Sequence, residues 1–225
     1  MSRRVSARTD MDIARRLMVS PLFKGMSVED VGKCFTCSDA LCVTYRKGEM
    51  IFTEEDEPNK LHILLEGGVR VGYDSFDGNR RVIGTFSSTG DIFGDILLFL
   101  GKKEYGVFAQ ATCETRIVVL PRDFMTGTCV NGCDYHKQLT SNLLMIFAGN
   151  AYALNMRLRI LSCPTLRQKI AKMLSIYNDR DMTKPIDMTR EELAEFLGVT
   201  RPSISRELMR SEEHTSELQS RSAIS

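Results

Sequence analysis

The chain has no tryptophan, three histidines and six prolines in 225 residues, and its charges nearly cancel at +1. A balanced charge removes any argument from the whole molecule as a polycation. Its longest unbroken apolar runs, Ile96–Leu100 and Leu143–Ala148, fall far short of the roughly 20 residues a membrane-spanning helix needs. Arg3 and Arg4 are followed by no apolar core, so the start does not read as a secretory leader. Seven cysteines, an odd number, in a chain without such a leader point to reduced thiols in a cytoplasm. No nucleophile–base pair, phosphate-cradling glycine loop or metal-ligand spacing stands out, so the sequence is not read as an enzyme.

What is present is organised around one long helix. From Asp134 to Ser162 there is no proline, and Leu143, Phe147, Ala151, Leu154, Leu158 and Leu161 recur every three or four residues. Leu139, Ile146, Ala153 and Ile160 recur every seven, and Leu144, Ala148 and Tyr152 form a third stripe. The first half is apolar nearly all round and should be buried on more than one side. One globular domain covers only one side. The other stripe asks for a partner, most simply a second copy in a parallel two-fold pairing. The alternative is a core helix of a monomer.

Before this helix, Met11–Met18 and Val28–Phe35 read as short helices, the second capped by Ser27. From Leu41 the period becomes two. Leu41–Tyr45, Met50–Phe52, Leu61–Leu65, Val69–Tyr73, Arg80–Phe86, Gly106–Ala111 and Thr115–Leu120 read as strands, with Asp77-Gly78 a hairpin turn and Thr89-Gly90-Asp91 another turn. About eight short strands at near-regular spacing predict a small antiparallel barrel or roll. Pro121 ends the sheet, and Cys163-Pro164 ends the long helix.

The C-terminal part, Met188–Met209, carries the sharpest signal. Thr189 with Glu192 spells a capping box for a helix Arg190–Leu197, and Gly198 is the residue able to take positive φ at its end. Thr200 can cap a second helix with Pro202 in its first turn. Ile204 and Leu208 point inward, which leaves Arg201, Ser203, Ser205 and Arg206 on the outer face. Arginine bonds guanine bidentately and serine contacts bases or phosphates, so this face suits a DNA major groove. From Arg157 to Arg210, eleven Lys and Arg stand against seven Asp and Glu, a modest excess that fits a nucleic-acid partner. The competing reading is an ordinary helical hairpin with a solvated charged face.

Four stretches in order resemble the CRP/FNR family of bacterial transcription regulators: Gly48-Glu49-Met50-Ile51-Phe52, Leu64-x-x-Gly67, Gly90-Asp91-Ile92-Phe93-Gly94-Asp95, and Arg201-Pro202-Ser203-Ile204-Ser205-Arg206-Glu207-Leu208. The resemblance spans roughly Ser20 to Met209. It implies an α+β chain: an N-terminal antiparallel β-roll (jelly roll) sensor of the cyclic-nucleotide-binding type, a long dimerisation helix and a C-terminal winged helix-turn-helix. The corresponding segments are 1–133, 134–162 and 163–209. The implied partners are palindromic promoter DNA, a second copy of the chain and RNA polymerase, with no membrane. The DNA-contacting residues it implies are Arg190, Thr200, Arg201, Ser203, Ser205 and Arg206, with Arg201 and Arg206 facing base edges and Arg190 a phosphate. An effector in the roll would shift the dimer helices and bring the recognition helices into register with DNA.

The same resemblance frames the effector question. Members that bind cyclic AMP carry Gly-Glu and then Arg-Ser or Arg-Thr, where the carboxylate takes the ribose hydroxyl and the arginine neutralises the phosphate. Here the first half reads Gly94-Asp95, followed by Ile96, and the second half falls near Lys103-Glu104. No arginine lies between Arg81 and Arg116, and Glu104 brings a negative charge. The positions that read adenine from the dimer helix fall near Leu154 and Asn155, of which only Asn155 is polar. The candidate effector pocket is therefore Gly94, Asp95, Ile96, Lys103 and Asn155, with cyclic AMP disfavoured. The rival is an iron–sulfur or thiol sensor built on Cys34, Cys37 and Cys42 with Cys113, against which structural thiols are the simpler reading. His62 alternates along its strand and reads as half-exposed, which speaks against a haem ligand. The other class of function is a cyclic-nucleotide-binding regulatory subunit of a kinase or channel, and the helix-turn-helix argues against it.

The end of the chain breaks the pattern. Arg210-Ser211-Glu212-Glu213-His214-Thr215-Ser216-Glu217-Leu218-Gln219-Ser220 looks like translated sequencing-adapter read-through, and after Met209 the apolar spacing collapses. Residues 210–225 are expected to be an artefactual tail standing where the family's wing would follow.

Overall fold

The computed structural model describes residues 3–6, 10–75, 80–126, 133–178 and 188–210. The Asp77-Gly78 turn and the tail from Ser211 onward lie outside them. The chain divides into two compact units, with the boundary after Phe147 inside the long helix.

Among the described residues the first unit is a roll of nine strands in two antiparallel sheets. The larger is ordered β1-β2-β9-β4-β7, from β1 (Arg3–Ser6), β2 (Leu41–Tyr45), β9 (Thr115–Pro121), β4 (Lys60–Glu66) and β7 (Ile92–Phe93). The smaller is ordered β3-β8-β5-β6, from β3 (Met50–Phe52), β8 (Phe108–Ala111), β5 (Val69–Asp74) and β6 (Arg80–Phe86). Alternation along β4 and β9 divides their side chains between two cores. Leu61, Ile63, Leu65, Val118 and Leu120 face the helices, whereas Leu64, Ile117 and Val119 face the interior of the roll. These strands are covered on both faces, which is why they read as continuous apolar runs.

Helix α1 (Met11–Leu17) brings Ile13, Ala14 and Leu17 to the helix-side core, and α2 (Val28–Cys37) brings Val31, Cys34 and Phe35. Asp10 and Ser27 cap the two helices, each accepting backbone N–H bonds. Two elements arise without a sequence signal: β1, which pairs Val5 with Cys42, and α3 (Arg122–Thr126), a short turn directly after the Pro121 stop. Strand β7 is likewise new, replacing part of what reads as a turn.

Helix α4 runs from Asp134 to Leu161. In its first half Leu139 and Leu143 are buried against the first unit's core, with Tyr135, Ile146 and Phe147 packed partly against it. Burial of a leucine contributes about 1.5–3 kcal/mol. Asn142 pins the same stretch, donating to the carbonyls of Leu22 and Lys24 at 2.8 Å each. Burial on more than one side does not occur within one chain. Leu144 and Met145 on the opposite side remain 65% and 71% exposed.

The second unit packs Ile160, α5 (Leu166–Asn178), α6 (Arg190–Leu197) and a final helix over residues 201–210, here α7, around Ile170, Met173, Leu193, Ala194, Leu197 and Ile204. No helix among the described residues is long and apolar enough to cross a membrane.

Candidate DNA interface and sensor site

The α6–turn–α7 unit follows from local chemistry. The Thr189 hydroxyl accepts from Glu192 N at 3.2 Å, and the Glu192 carboxylate accepts from Thr189 N at 2.7 Å. Two orphan helix-start donors are thus satisfied reciprocally, and the Glu192 carboxyl is held below its usual range by these bonds. Gly198 closes α6 at φ 66°, ψ 37°, a left-handed conformation that any Cβ would strain. Val199 N then returns to Ala194 O at 2.9 Å, so the turn is tight. Ile204 is fully buried beneath α7 and Leu208 packs at the margin of the same core.

This packing fixes what α7 presents. Arg201 and Arg206 are exposed, as are Arg190 and Thr200. Arg201 Nε is paired with Glu191 at 2.9 Å, and Arg206 Nε donates to Pro202 O at 3.3 Å. Ser203 and Ser205 are half-buried, not on the fully outer face that their spacing suggests, because they flank the inward Ile204. The Ser203 hydroxyl is engaged with the Thr200 hydroxyl at 2.9 Å, closing the first turn of α7. Two further contacts join residues too far apart in sequence for spacing to announce them. Arg167 of α5 holds Glu207 at 2.7 Å, and Arg157 lies 5.1 Å from the Phe196 ring centroid. Glu207 sits in the quoted α7 motif, so its acidic character beside Arg206 was the available signal.

In the roll, Gly94 takes φ +71°, and a Cβ there would press on Phe52 and on His62 Nδ1. Asp95 follows, 7% exposed, with its carboxyl pushed up by burial and partly held down by the backbone N–H groups of Asp95 and Ile96. Ile96, Lys103 and Glu104 are all exposed. Asn155 is exposed on α4 in the second unit.

His62 lies furthest from where its spacing places it. It is 4% exposed, not half-exposed, because it shares the β4 face of Leu64, which packs in the roll interior. Its ring lies 5.3 Å from those of Phe52 and Phe93, and Phe52 stacks on Tyr105 at 3.9 Å. Burial first, and the positive charge of Lys60 second, depress the imidazole to about 3, against a hydrogen bond to the Phe93 backbone. Its Nδ1 has no hydrogen-bond partner. Burial pushes the Tyr105 phenol up to about 12, helped by Asp56.

These residues do not fit a cyclic phosphate. A buried carboxylate, Asp95, does stand at the Gly-Asp turn where a ribose hydroxyl would bind, but no arginine follows it before Arg116. The nearest following cations in sequence, Lys102 and Lys103, are exposed, and the rings of Phe52, His62, Phe93 and Tyr105 cluster in the interior. The cysteine quartet is not gathered either. Cys34 and Cys42 are buried in the helix-side core, Cys113 is exposed after β8, and Cys37 lies 3.0 Å from the Tyr135 hydroxyl. Among the described residues no three His, Cys, Asp or Glu side chains are grouped to hold a metal ion.

Comparison with known proteins agrees with this architecture. Residues 42–130 match the cyclic nucleotide-binding domain, and residues 161–215 match the Crp-like helix-turn-helix domain. The chain is 24% identical over 174 residues to a CRP-like cAMP-activated global transcriptional regulator of Mycobacterium tuberculosis, covering 74% of this chain and 75% of that protein. It is 25% identical over 186 residues to the nitrogen fixation regulation protein FixK of Rhizobium meliloti, covering 81% of each. The catabolite activator protein of Thermus thermophilus superposes with a TM-score of 0.53 at 25% identity, over 87% of this chain and 88% of that one. A regulatory subunit of a cAMP-independent protein kinase A from Trypanosoma brucei shares the fold alone, at a TM-score of 0.50 and 18% identity over 65% of this chain and 48% of that one. With a sensor roll, a long connecting helix and a Crp-like helix-turn-helix in this order, the chain belongs to the CRP/FNR family of transcription regulators.

Proposed function

We propose that this regulator acts in the cytoplasm as a homodimer on palindromic promoter DNA, under an effector or redox signal other than cyclic AMP. The observation that carries the dimer is the bare apolar seam of α4. Leu144, Ala148, Ala151, Asn155 and Leu158 are spaced alternately four and three apart, and all are exposed. That is the spacing of a two-stranded coiled coil, and Asn155 in its middle is the kind of polar residue that fixes register. Leu144 and Leu158 are each 65% exposed, apolar area that pairing would remove from water.

In this reading α7 enters the major groove of each half-site. Arg206 reads a base, Arg201 reaches one after releasing Glu191, Thr200, Ser203 and Ser205 line the near edge, and Arg190 meets a phosphate. Gly94, Asp95, Ile96, Lys103 and Asn155 are the residues offered to an effector, and RNA polymerase is the partner downstream of DNA binding. Binding-site selection with the full chain tests the reading: an inverted-repeat site is expected, and enrichment of no sequence would refute it.

A further inference from the structure

Outside both sites, the junction between α2 and α4 gathers two thiols around one phenol. Cys37, the last residue of α2, is exposed, and its Sγ lies 3.0 Å from the Tyr135 hydroxyl. The same hydroxyl is hydrogen-bonded to Cys133, which stands immediately before α4 and is half-buried. Two sulfurs separated by 96 positions in sequence therefore share a single oxygen atom as their neighbour. The Cys133 carbonyl accepts from His136 N at 3.1 Å, which seats Cys133 at the mouth of α4. Beside Cys37 opens a groove of about 400 Å³, lined by Met11, Glu29, Lys33, Thr36, Cys37 and Tyr135. A small solute can thus reach Cys37, whereas Cys34 and Cys42 are sealed in the core.

We propose that Cys37 and Cys133 are a hydroperoxide-oxidised dithiol whose disulfide ties the end of α2 to the start of the dimer helix. The Cys37 thiolate attacks the outer oxygen of a hydroperoxide, forming an S–O bond as the O–O bond breaks. The departing alkoxide takes a proton and leaves as the alcohol, or as water from hydrogen peroxide. The Cys133 thiolate then attacks the sulfenic sulfur of Cys37, and hydroxide leaves as water. Two thiols and one hydroperoxide become one disulfide, one alcohol and one water. The Tyr135 hydroxyl must release both sulfurs for them to join, which costs its two hydrogen bonds there. Because α4 continues into the DNA-binding unit, the bond constrains the helix that links sensor to reading head. This last consequence rests on the DNA-binding reading above.

The test treats the full chain with hydrogen peroxide, blocks remaining thiols with iodoacetamide and maps the unreduced tryptic peptides. The peptide holding Cys34, Cys37 and Cys42 should be joined to that holding Cys129 and Cys133. The link should vanish in Cys37→Ser and in Cys133→Ser, and persist in Cys34→Ser, Cys42→Ser and Cys129→Ser, with far-UV circular dichroism verifying that each variant is folded. Wild type in which these thiols become sulfinic acids without a link, or a link that survives Cys133→Ser, would overturn the proposal. Operator affinity should change at least threefold on oxidation in wild type and not in Cys133→Ser; equal affinities would remove the regulatory consequence. A reduced chain that binds no DNA counts against the DNA-binding reading instead, and the peptide map alone then decides the disulfide.

Discussion

The two units of this chain differ in how they have kept their machinery. The second holds the parts of a helix-turn-helix that local chemistry builds: capping box, left-handed Gly198, tight return through Val199, and exposed Arg201 and Arg206 on the helix that buries Ile204. The first keeps the roll and an acidic residue after Gly94, but carries no arginine between Arg81 and Arg116. Asp95 is buried, Lys103 is exposed, and Phe52, His62, Phe93 and Tyr105 fill the interior. A scaffold is held by backbone pairing and two apolar cores, so its ligand-facing residues can change without loss of the fold. The helix-turn-helix has less freedom, because Thr189, Gly198, Val199 and Ile204 are each tied to a cap, a turn or the core.

The sharpest way to break this comparison is at the helix that joins the units. Leu158→Glu would place two carboxylates face to face in the seam, and the lost burial from both copies costs about 3–6 kcal/mol. Sedimentation should show monomers and DNA affinity should collapse. A variant still dimeric at micromolar concentration would mean that another surface holds the copies together.

Within the reading head the arginines should separate by role. Arg206→Ala is expected to cost about 1–3 kcal/mol per half-site and to relax preference at one symmetric base position. Arg190→Ala should weaken all sequences alike and lower the salt slope by about one unit per contact. Indistinguishable site preferences and slopes in the two variants would contradict the assignment.

Within the sensor, His62 gives a pH signature. Its folded-state value of about 3 lies below its ordinary 6.5, so the unfolded chain takes up a proton that the folded chain refuses. Stability is therefore complete above about pH 6.5 and falls as pH drops toward 3, by at most about 1.4 kcal/mol per pH unit. Between pH 7.5 and 5 urea denaturation should show a loss of about 2 kcal/mol from this residue, absent in His62→Phe. An equal loss in that variant would place the acid sensitivity elsewhere.

The smallest effect concerns the Arg201–Glu191 pair, whose members are 63% and 60% exposed. Surface pairs contribute about 0–1 kcal/mol, so Glu191→Gln should leave thermal stability nearly unchanged. It should strengthen DNA binding a few-fold by freeing Arg201 and removing a negative charge near phosphates. Weaker binding would show that Glu191 itself contacts DNA.

What was legible in the sequence was local. The Ser27 and Thr189 caps, the Gly198 stop and the main strands depend on neighbours a few residues apart, and the structure has them where spacing put them. What was not legible depends on which of two sheet faces meets which core. Alternation marks His62 as one face of β4 but cannot tell a roll interior from solvent. β1 carries two arginines and owes its place to β2, so no propensity announces it. In the candidate site, the half-burial of Ser203 and Ser205 and the pairing of Arg201 arise from packing and from α6, beyond the reach of helical spacing. The Cys37–Tyr135–Cys133 cluster joins positions about a hundred residues apart, and only the fold brings them together.

The central claim, a DNA-binding helix-turn-helix joined to a sensor roll that does not respond to cyclic AMP, is tested most directly by one titration. The affinity of the full chain for its selected DNA site is measured by fluorescence anisotropy, without cyclic AMP and with it in millimolar excess. The account predicts salt-dependent, sequence-specific binding that is the same in both titrations. Specific binding that appears only with cyclic AMP present would contradict it.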